Sequence, residues 1–398
     1  MERYEFAVIG SGLVGVSTAY ELAKAGRRVV LIDGKGLGAG ASSANTGLLI
    51  PDENKDETLF RMSIDGLEAF KHLSEELERD IGFAEQAAVA LFLRPEERTE
   101  ALEAQKRYRQ NGYEYEIHSP DGIQALEPAL RCEDIFGGAL FTQWIMDPLR
   151  TIFAYFAQGR RFGMEWCGSA HVAAFVREGT HIAAVKLEDG REIRAERFLA
   201  AAGAWSRPLM RKAEVVIPEY HINGAAMVLE RMEHPPVRHT VSTFTSPRIR
   251  MERRASALLE RMEWERLPRQ ESNEFSILPD THGNLLVAQR SFVAPRYAEA
   301  VPMNYLREMS QNVKRWYPCL APCRVIRSWI TPVPFVQDEK PFFGFVKPYD
   351  NLAISSGYSS VLVMTPVLGR IGARLLMGQS QEYDVSAFDP NRFDREAP

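Results

Sequence analysis

Apolar and polar positions repeat along this chain in two periods, one suited to strands and one to helices. Phe6-Ala7-Val8-Ile9 is a short unbroken apolar run, as expected for a strand buried on both faces. Val14 to Ala25 follows at helical spacing, with Val16, Ala19, Tyr20, Leu22 and Ala23 on one packed face and Gly26 at the C-cap position. Val29-Val30-Leu31-Ile32 predicts a second strand, closed by Asp33. Asp56–Gly82 predicts a long amphipathic helix carrying Leu59, Ile64, Leu67, Phe70, Leu73 and Leu77 on one side. Ala88–Leu93 then reads as a strand, Glu96–Asn111 as an exposed charged helix, Leu126–Leu130 as a turn region and Gly137–Phe141 as a strand. Asp147 and Pro148 fit the N-cap and first positions of a helix reaching Phe162. Met164–Val176 and Ile182–Leu187 predict strands, with a hairpin turn at Glu188-Asp189-Gly190 before Ile193.

Phe198–Ser206 is an apolar strand that ends in small residues and a turn. The least regular stretch is Glu230–Phe275, rich in Arg and Glu with Pro235-Pro236; it predicts a short helix at Arg254–Trp264 and a cover over a site or a docking segment for another chain. Ile277–Phe292 predicts a hairpin around His282-Gly283-Asn284, Met303–Trp316 a helix, Val325–Gly344 and Leu352–Ser355 strands, and Thr365–Met377 a last helix.

Chemistry enters at the first strand–helix junction. Gly10-Ser11-Gly12-Leu13-Val14-Gly15 fits G-x-G-x-x-G between a strand and a helix. Gly10 permits the tight turn, Gly12 lets a pyrophosphate approach the backbone, and Gly15 lets helix and strand pack closely. The helix start offers free N–H groups and a partial positive charge to phosphates. Asp33 lies 33 − 15 = 18 residues past the last glycine, near the spacing of an acid that accepts hydrogen bonds from a ribose. Asp rather than Arg there points to FAD or NAD, not NADP. The small-residue stretch Gly34–Leu49 follows at once, suited to wrapping a flat cofactor.

With 398 residues, 45% hydrophobic and 25% charged, the chain is long enough for a large core and two domains. A net charge of −5 does not favour nucleic acid or an anionic membrane as partner. No apolar run reaches the roughly 18 residues of a membrane span. The first strand starts within a few residues of Met1, which leaves no room for a signal peptide. Cys132, Cys167, Cys319 and Cys323 form neither a disulfide framework nor a metal site, so no metal and a reducing, cytoplasmic compartment are expected.

The order of motifs resembles the family of FAD-dependent amino-acid oxidoreductases that includes glycine oxidase, D-amino-acid oxidases and dehydrogenases, and sarcosine oxidase. The resemblance rests on VIGSGLVGVSTAYELAKAG with Asp33, ASSANTGLL, Glu127-Pro128, Gly137-Gly138, Asp147-Pro148, FLAAAGAWS, IPEYHING, GNLLVAQRSFV, WITPVPFVQDEKPFFG and ISSGYSSVLVMTPVLGRIGARLL, and it covers nearly the whole chain. It implies FAD and an α/β fold: a discontinuous Rossmann-like FAD-binding domain from 1–84, 140–215 and 330–398, and a second, α+β substrate domain on a large antiparallel sheet from 85–139 and 216–329. Gly10, Gly12, Leu13, Val14, Gly15, Asp33, Gly34 and Lys35 would hold the ADP half of the cofactor. Ser42, Ser43, Asn45, Thr46, Gly47 and Leu48 would line the flavin and phosphates, and Val172 would hold adenine through its backbone. Ala202, Gly203 and Trp205 would flank the pyrophosphate and ribose. Gly357, Tyr358, Ser359, Ser360, Val361 and Leu362 would bring N–H groups to the pyrimidine edge of the ring, where they stabilise negative charge.

The chain departs from the family pattern at identifiable positions. Gly357-Tyr358 stands where Gly-His is common; Val333 stands where glycine-oxidase-like sequences carry an Arg for the substrate carboxylate; Thr331 lies near the flavin-linking cysteine of sarcosine-oxidase-like sequences. Noncovalent FAD is therefore expected. GNLLVAQRSFV is similar to a segment of flavin subunits in multi-subunit dye-linked dehydrogenases that act on proline, hydroxyproline or opines. The implied reaction is oxidation of the C–N bond of a small amino or imino acid by hydride transfer to flavin N5, the imine then being hydrolysed. Arg290 is the expected carboxylate clamp and Tyr358 its helper, with Arg248 and Arg250 in reserve. The other reading is a non-catalytic FAD-binding partner subunit, for assembly or electron relay in a hetero-oligomeric dehydrogenase.

Overall fold

The computed structural model describes residues 3–51, 56–259, 263–280, 283–358 and 361–393, without the side chains of Pro247 and Arg248. The chain divides into two compact units: Met1–Phe83, Ile145–His221 and Val333–Pro398 in one, Ala84–Trp144 and Ile222–Pro332 in the other.

The first unit is built on the apolar strand at the N-terminus. Arg3–Ile9 pairs in parallel with Val29–Ile32 on one side and Glu192–Ala200 on the other. Leu352–Ser356 and Glu165–Cys167 extend the parallel sheet at its two ends, and Phe342–Phe345 adds an antiparallel strand. Central strands carry apolar residues on both faces because both faces are covered, and Ala7, Val8, Leu31, Ile32, Leu199 and Ile354 are fully excluded from water. Helix Leu13–Lys24 packs on helix Val361–Met377 where Gly369 and Gly372 meet Ser17 and Thr18. The caps expected at Gly26 and Asp147 are present, and Asp56 adds another. Gly26 adopts a left-handed φ of 74° after the first helix, Asp56 accepts from Thr58 N at the start of Glu57–Glu76, and Asp147 accepts from Arg150 N at the start of Pro148–Arg161.

The second unit is an antiparallel-rich sheet. Its central order is Glu219–Leu229, Leu285–Val293, Gln270–Pro279, Thr240–Thr243, Ala84–Leu91 and Gly138–Ile145. Helix Met303–Trp316 covers one face, with Tyr305, Met309, Val313 and Trp316 packed among Met227, Phe275 and Val287. Buried Glu127 is a tie point. It accepts from Arg238 N, from His239 N at 2.8 Å and from Tyr317 Oη at 3.0 Å, and it lies 2.7 Å from His239 Nδ1. Burial beside that carboxylate pushes the Tyr317 phenol far up.

Several sequence expectations shift. The helix expected at Arg254–Trp264 lies at Pro247–Leu259, with a separate 3₁₀ turn at Trp264–Arg266; Pro247 suits the first helical position and outweighs the later apolar spacing. The last helix begins at Val361 rather than Thr365, because Pro366 is accommodated inside its first turns. Met164–Val176 is two strands, Glu165–Cys167 and Val172–Glu178. A helix at Pro120–Leu126, capped by Ser119, was hidden by its short length. The units meet in sequence at residues 144/145 and 221/222, inside continuous strands, where composition gives no break.

Glu127→Ala strands the Tyr317 hydroxyl and the amides of Arg238 and His239 in a dry interior. It should cost roughly 2–4 kcal/mol, seen as a lower thermal midpoint, with Glu127→Gln intermediate. An unchanged midpoint would remove Glu127 from its structural role.

Candidate functional site

The glycine motif forms the turn its spacing predicts. Gly10 has φ 112°, and a Cβ there would lie 2.2 Å from Ala201 O. A Cβ on Gly15 would lie 1.8 Å from Gly10 O, so helix and turn meet backbone to backbone. Gly12 is the N-cap of helix Leu13–Lys24 and has no side chain to close its end. The first-turn amides of Leu13, Val14 and Gly15 have no intrahelical acceptor; Leu13 N donates to Ser42 Oγ at 3.0 Å. This is a backbone cradle with a helix N-terminus behind it, the arrangement that accepts a diphosphate.

Asp33 is engaged by its own loop. Its Oδ2 accepts from Ser11 N and Ser11 Oγ at 2.8 and 2.9 Å, and its Oδ1 from Lys35 N and Gly36 N at 2.8 and 2.9 Å. Both oxygens are thus well supplied, and a ribose hydroxyl would share or replace these donors. Ser11, an unremarked x of the motif, is the residue that ties the glycine turn to Asp33. A Cβ at Gly34 would collide with the His171 ring, and the Lys35 ammonium lies 4.3 Å from the Trp205 ring centroid.

The following loop is held from within. Asn45 Nδ2 donates to Ala41 O and Ser42 O at 3.0 and 2.7 Å, and its Oδ1 accepts from Gly47 N at 2.8 Å. Ser43 belongs to the 3₁₀ turn Ala41–Ser43; Thr46 and Leu48 are half-buried beside it, and Gly47 O accepts from Met146 N. Val172 O accepts from Lys212 Nζ at 2.5 Å, so the carbonyl expected to meet adenine has a donor in this structure. Ala202 precedes the turn Gly203–Trp205, and its carbonyl accepts from Trp205 N. Val361 and Leu362 open the last helix after Gly357, which has φ 82°. Ser359 and Ser360 lie outside the described residues.

Two expected substrate contacts are corrected. Arg290 is committed to the fold: Nε donates to Glu308 at 2.6 Å, Nη1 to Ser272 O at 2.7 Å and Nη2 to Glu271 at 2.7 Å, with the Tyr305 ring 4.7 Å away. The cause is a β-bulge. Ala226 pairs with Ala288 but Ala225 pairs with Arg290, so Gln289 is extra and the in–out alternation inverts. Val287 faces the helix, and so does Arg290. Tyr358 is 4% exposed, its hydroxyl is 2.9 Å from Ser355 Oγ, and burial pushes its phenol well up, so its side chain is packed within the first unit. Arg250 is exposed on helix Pro247–Leu259, and the Arg248 side chain is outside the described residues.

The bulge brings forward residues that sequence reading missed. Gln289 Nε2 donates to Ser291 Oγ at 2.7 Å, on the sheet face opposite helix Met303–Trp316, and Ser291 pairs across from Gly224. Glu219, in strand Glu219–Leu229, is a second omission: it is buried and its Oε2 accepts from Ser356 Oγ at 2.6 Å. Gln289 and Ser291 lie in GNLLVAQRSFV and Glu219 in IPEYHING, stretches that carry the family resemblance without marking these residues. Among the described residues no His, Cys, Asp and Glu group could hold a metal ion.

The residues present fit FAD. The turn closed by Gly10 and Gly15, with the first-turn amides of Leu13, Val14 and Gly15 lacking intrahelical acceptors, is the donor set a diphosphate takes. Arg290→Ala should leave Glu308 without its cation and Glu271 with Arg269 alone, lowering stability by about 1–3 kcal/mol. The thermal midpoint should fall while kcat/KM of the folded protein stays within about twofold; the reverse pattern would restore Arg290 to the substrate.

Comparison with known proteins agrees with this geometry. Dimethylglycine dehydrogenase of Rattus norvegicus is 25% identical over 99% of this chain, and the chain spans only 45% of that protein's length. Glycine oxidase from Geobacillus kaustophilus superposes with a TM-score of 0.84 at 20% identity, covering 98% of this chain and 99% of that one. L-Proline dehydrogenase from P. horikoshii superposes with a TM-score of 0.82 at 22% identity, covering 99% and 98%. The model of the DAO family of FAD-dependent oxidoreductases matches residues 5–375, and the chain belongs to that family.

Proposed function

We propose that the chain oxidises the C–N bond of a small amino or imino acid, and that secondary and tertiary amines are preferred to primary ones. The observation that carries this reading is the sheet face around the bulge. Gly224, Ala226 and Ala288 are small, and Gln289 and Ser291 are neutral hydrogen-bonding groups beside them. Such a face leaves room for alkyl groups on nitrogen. It holds a carboxylate by neutral donors, since Arg290 is engaged elsewhere and position 333 is Val.

Relatives named dimethylglycine dehydrogenase and L-proline dehydrogenase support this class of substrate. When bound, FAD accepts the hydride released from the substrate carbon. In this reading Gln289 and Ser291 bind the substrate, while the glycine turn and the start of helix Val361–Met377 hold the cofactor. FAD is held noncovalently in this reading, because Thr331 offers no thiol for a flavin bond.

Anaerobic mixing should bleach the bound flavin with sarcosine, dimethylglycine or proline at least tenfold faster than with glycine or primary D-amino acids. No bleaching by any amine would replace this reading with that of a FAD-bearing partner subunit. Gln289→Ala should lose roughly 1.5–3 kcal/mol of transition-state binding, read as kcat/KM, at unchanged FAD content. Acid precipitation should leave the yellow cofactor in the supernatant; colour in the pellet would show a covalent bond.

A further inference from the structure

Strand order puts two loops on opposite sides of the glycine turn. Arg3–Ile9 runs between Val29–Ile32 and Glu192–Ala200, all three in parallel. Residues 33–47 leave the first of these neighbours, and residues 201–205 leave the second. Adjacent strands are about 4.8 Å apart, so the two exits are about 10 Å apart with the glycine turn between them. A dinucleotide lies outside the carboxyl ends of such strands. A contact that joins the two loops at this end of the sheet therefore reaches across the diphosphate cradle.

Two such contacts exist, and both are made by the Trp205 ring. The Lys35 ammonium lies 4.3 Å from its centroid. A Cβ on Gly40 would lie 3.5 Å from Trp205 Cζ3, so the ring also packs on the Gly40 backbone. Each loop is anchored at its base. Gly38 N donates to Ser11 O at 3.2 Å, Ser42 Oγ accepts from Leu13 N at 3.0 Å, and Ala201 O backs onto Gly10. Residues 34–40 belong to no helix or strand, and glycine recurs at 34, 36, 38 and 40, with φ 131° at Gly36 and 68° at Gly38. Backbone this free needs an outside hold to stay in one place. Trp205 supplies it.

We propose that Lys35 and Trp205 form a clasp that closes residues 34–47 over the cradle, and that FAD enters and leaves when the clasp opens. Cation and ring both belong to the chain, so their contact can form with or without a cofactor beneath it. Such a clasp slows uptake and release together. A side chain that only gripped FAD would behave differently: its loss would speed release and leave uptake no faster. An exposed cation–ring contact is weak, which suits a part that must open for every exchange of cofactor. The inference rests on FAD binding and not on the substrate.

The test is dilution of the holoenzyme with flavin fluorescence followed in time. The initial rise gives the release rate, the final level gives the dissociation constant, and their ratio gives the uptake rate. Lys35→Met should speed release about two- to fivefold, the size of one exposed cation–ring contact, and uptake by a similar factor. Trp205→Leu, which also loses the Gly40 contact, should speed both at least as much. Lys35→Arg keeps a cation for the ring and should match the wild type. In the Trp205→Leu background, Lys35→Met should add nothing, because its partner is gone. Lys35 is exposed, so Lys35→Met decides the matter alone if Trp205→Leu does not fold. Release unchanged in Lys35→Met overturns the proposal. So does faster release with uptake no faster, which marks a direct grip on FAD, or a double variant in which the two effects multiply.

Discussion

The contact on which the first unit depends is backbone against backbone at the glycine turn. Gly15 meets the Gly10 carbonyl, and Gly10 meets the Ala201 carbonyl, at distances that leave no room for a side chain. These two approaches fix the first helix against its strand and the first strand against Glu192–Ala200. They also set where the helix N-terminus points, and so where phosphate charge can be received. Ser11 and Asp33 secure the turn from the other side, so that the acid shapes the cofactor loop as well as facing it.

Charge is handled differently in the two units. In the second, carboxylates and cations are paired off: Glu271 and Glu308 take Arg290, Arg269 reaches Glu271 and Tyr305, and buried Glu127 is surrounded by donors. Such networks hold a fold and leave little for a ligand. Beside the bulge, strands Glu219–Leu229 and Leu285–Val293 present the neutral Gly224, Ala226, Ala288, Gln289 and Ser291. In the first unit, buried Glu219 accepts from Ser356 Oγ, and the Arg207 backbone amide and charge act on it as well. A buried acid is costly unless it keeps its proton, which is why its environment decides its charge.

The local elements were open to sequence reading because their signals are local. A strand run followed by G-x-G-x-x-G, a helix with Gly26 after it and an acid at Asp33 all lie within one stretch of chain. Asp147-Pro148 announces a helix start in two residues, and Met303–Trp316 carries its amphipathic period from end to end. Family membership was legible for the same reason, since its motifs recur in order along the chain.

The direction of Arg290 was decided by tertiary structure. Strict alternation from Val287 turns it away from the core, but one extra residue at Gln289 reverses every later side chain, and nothing in AQRSF marks which residue bulges. The same limit applies to Tyr358, placed by the family resemblance in a turn at the flavin and found packed against Ser355. It applies to Glu219, which in sequence is an ordinary acid after a proline and becomes a buried one only because Ser356, 137 positions away, lies against it. Sequence determined what can be decided by neighbours a few residues apart; burial, register and partners separated by half the chain required the fold.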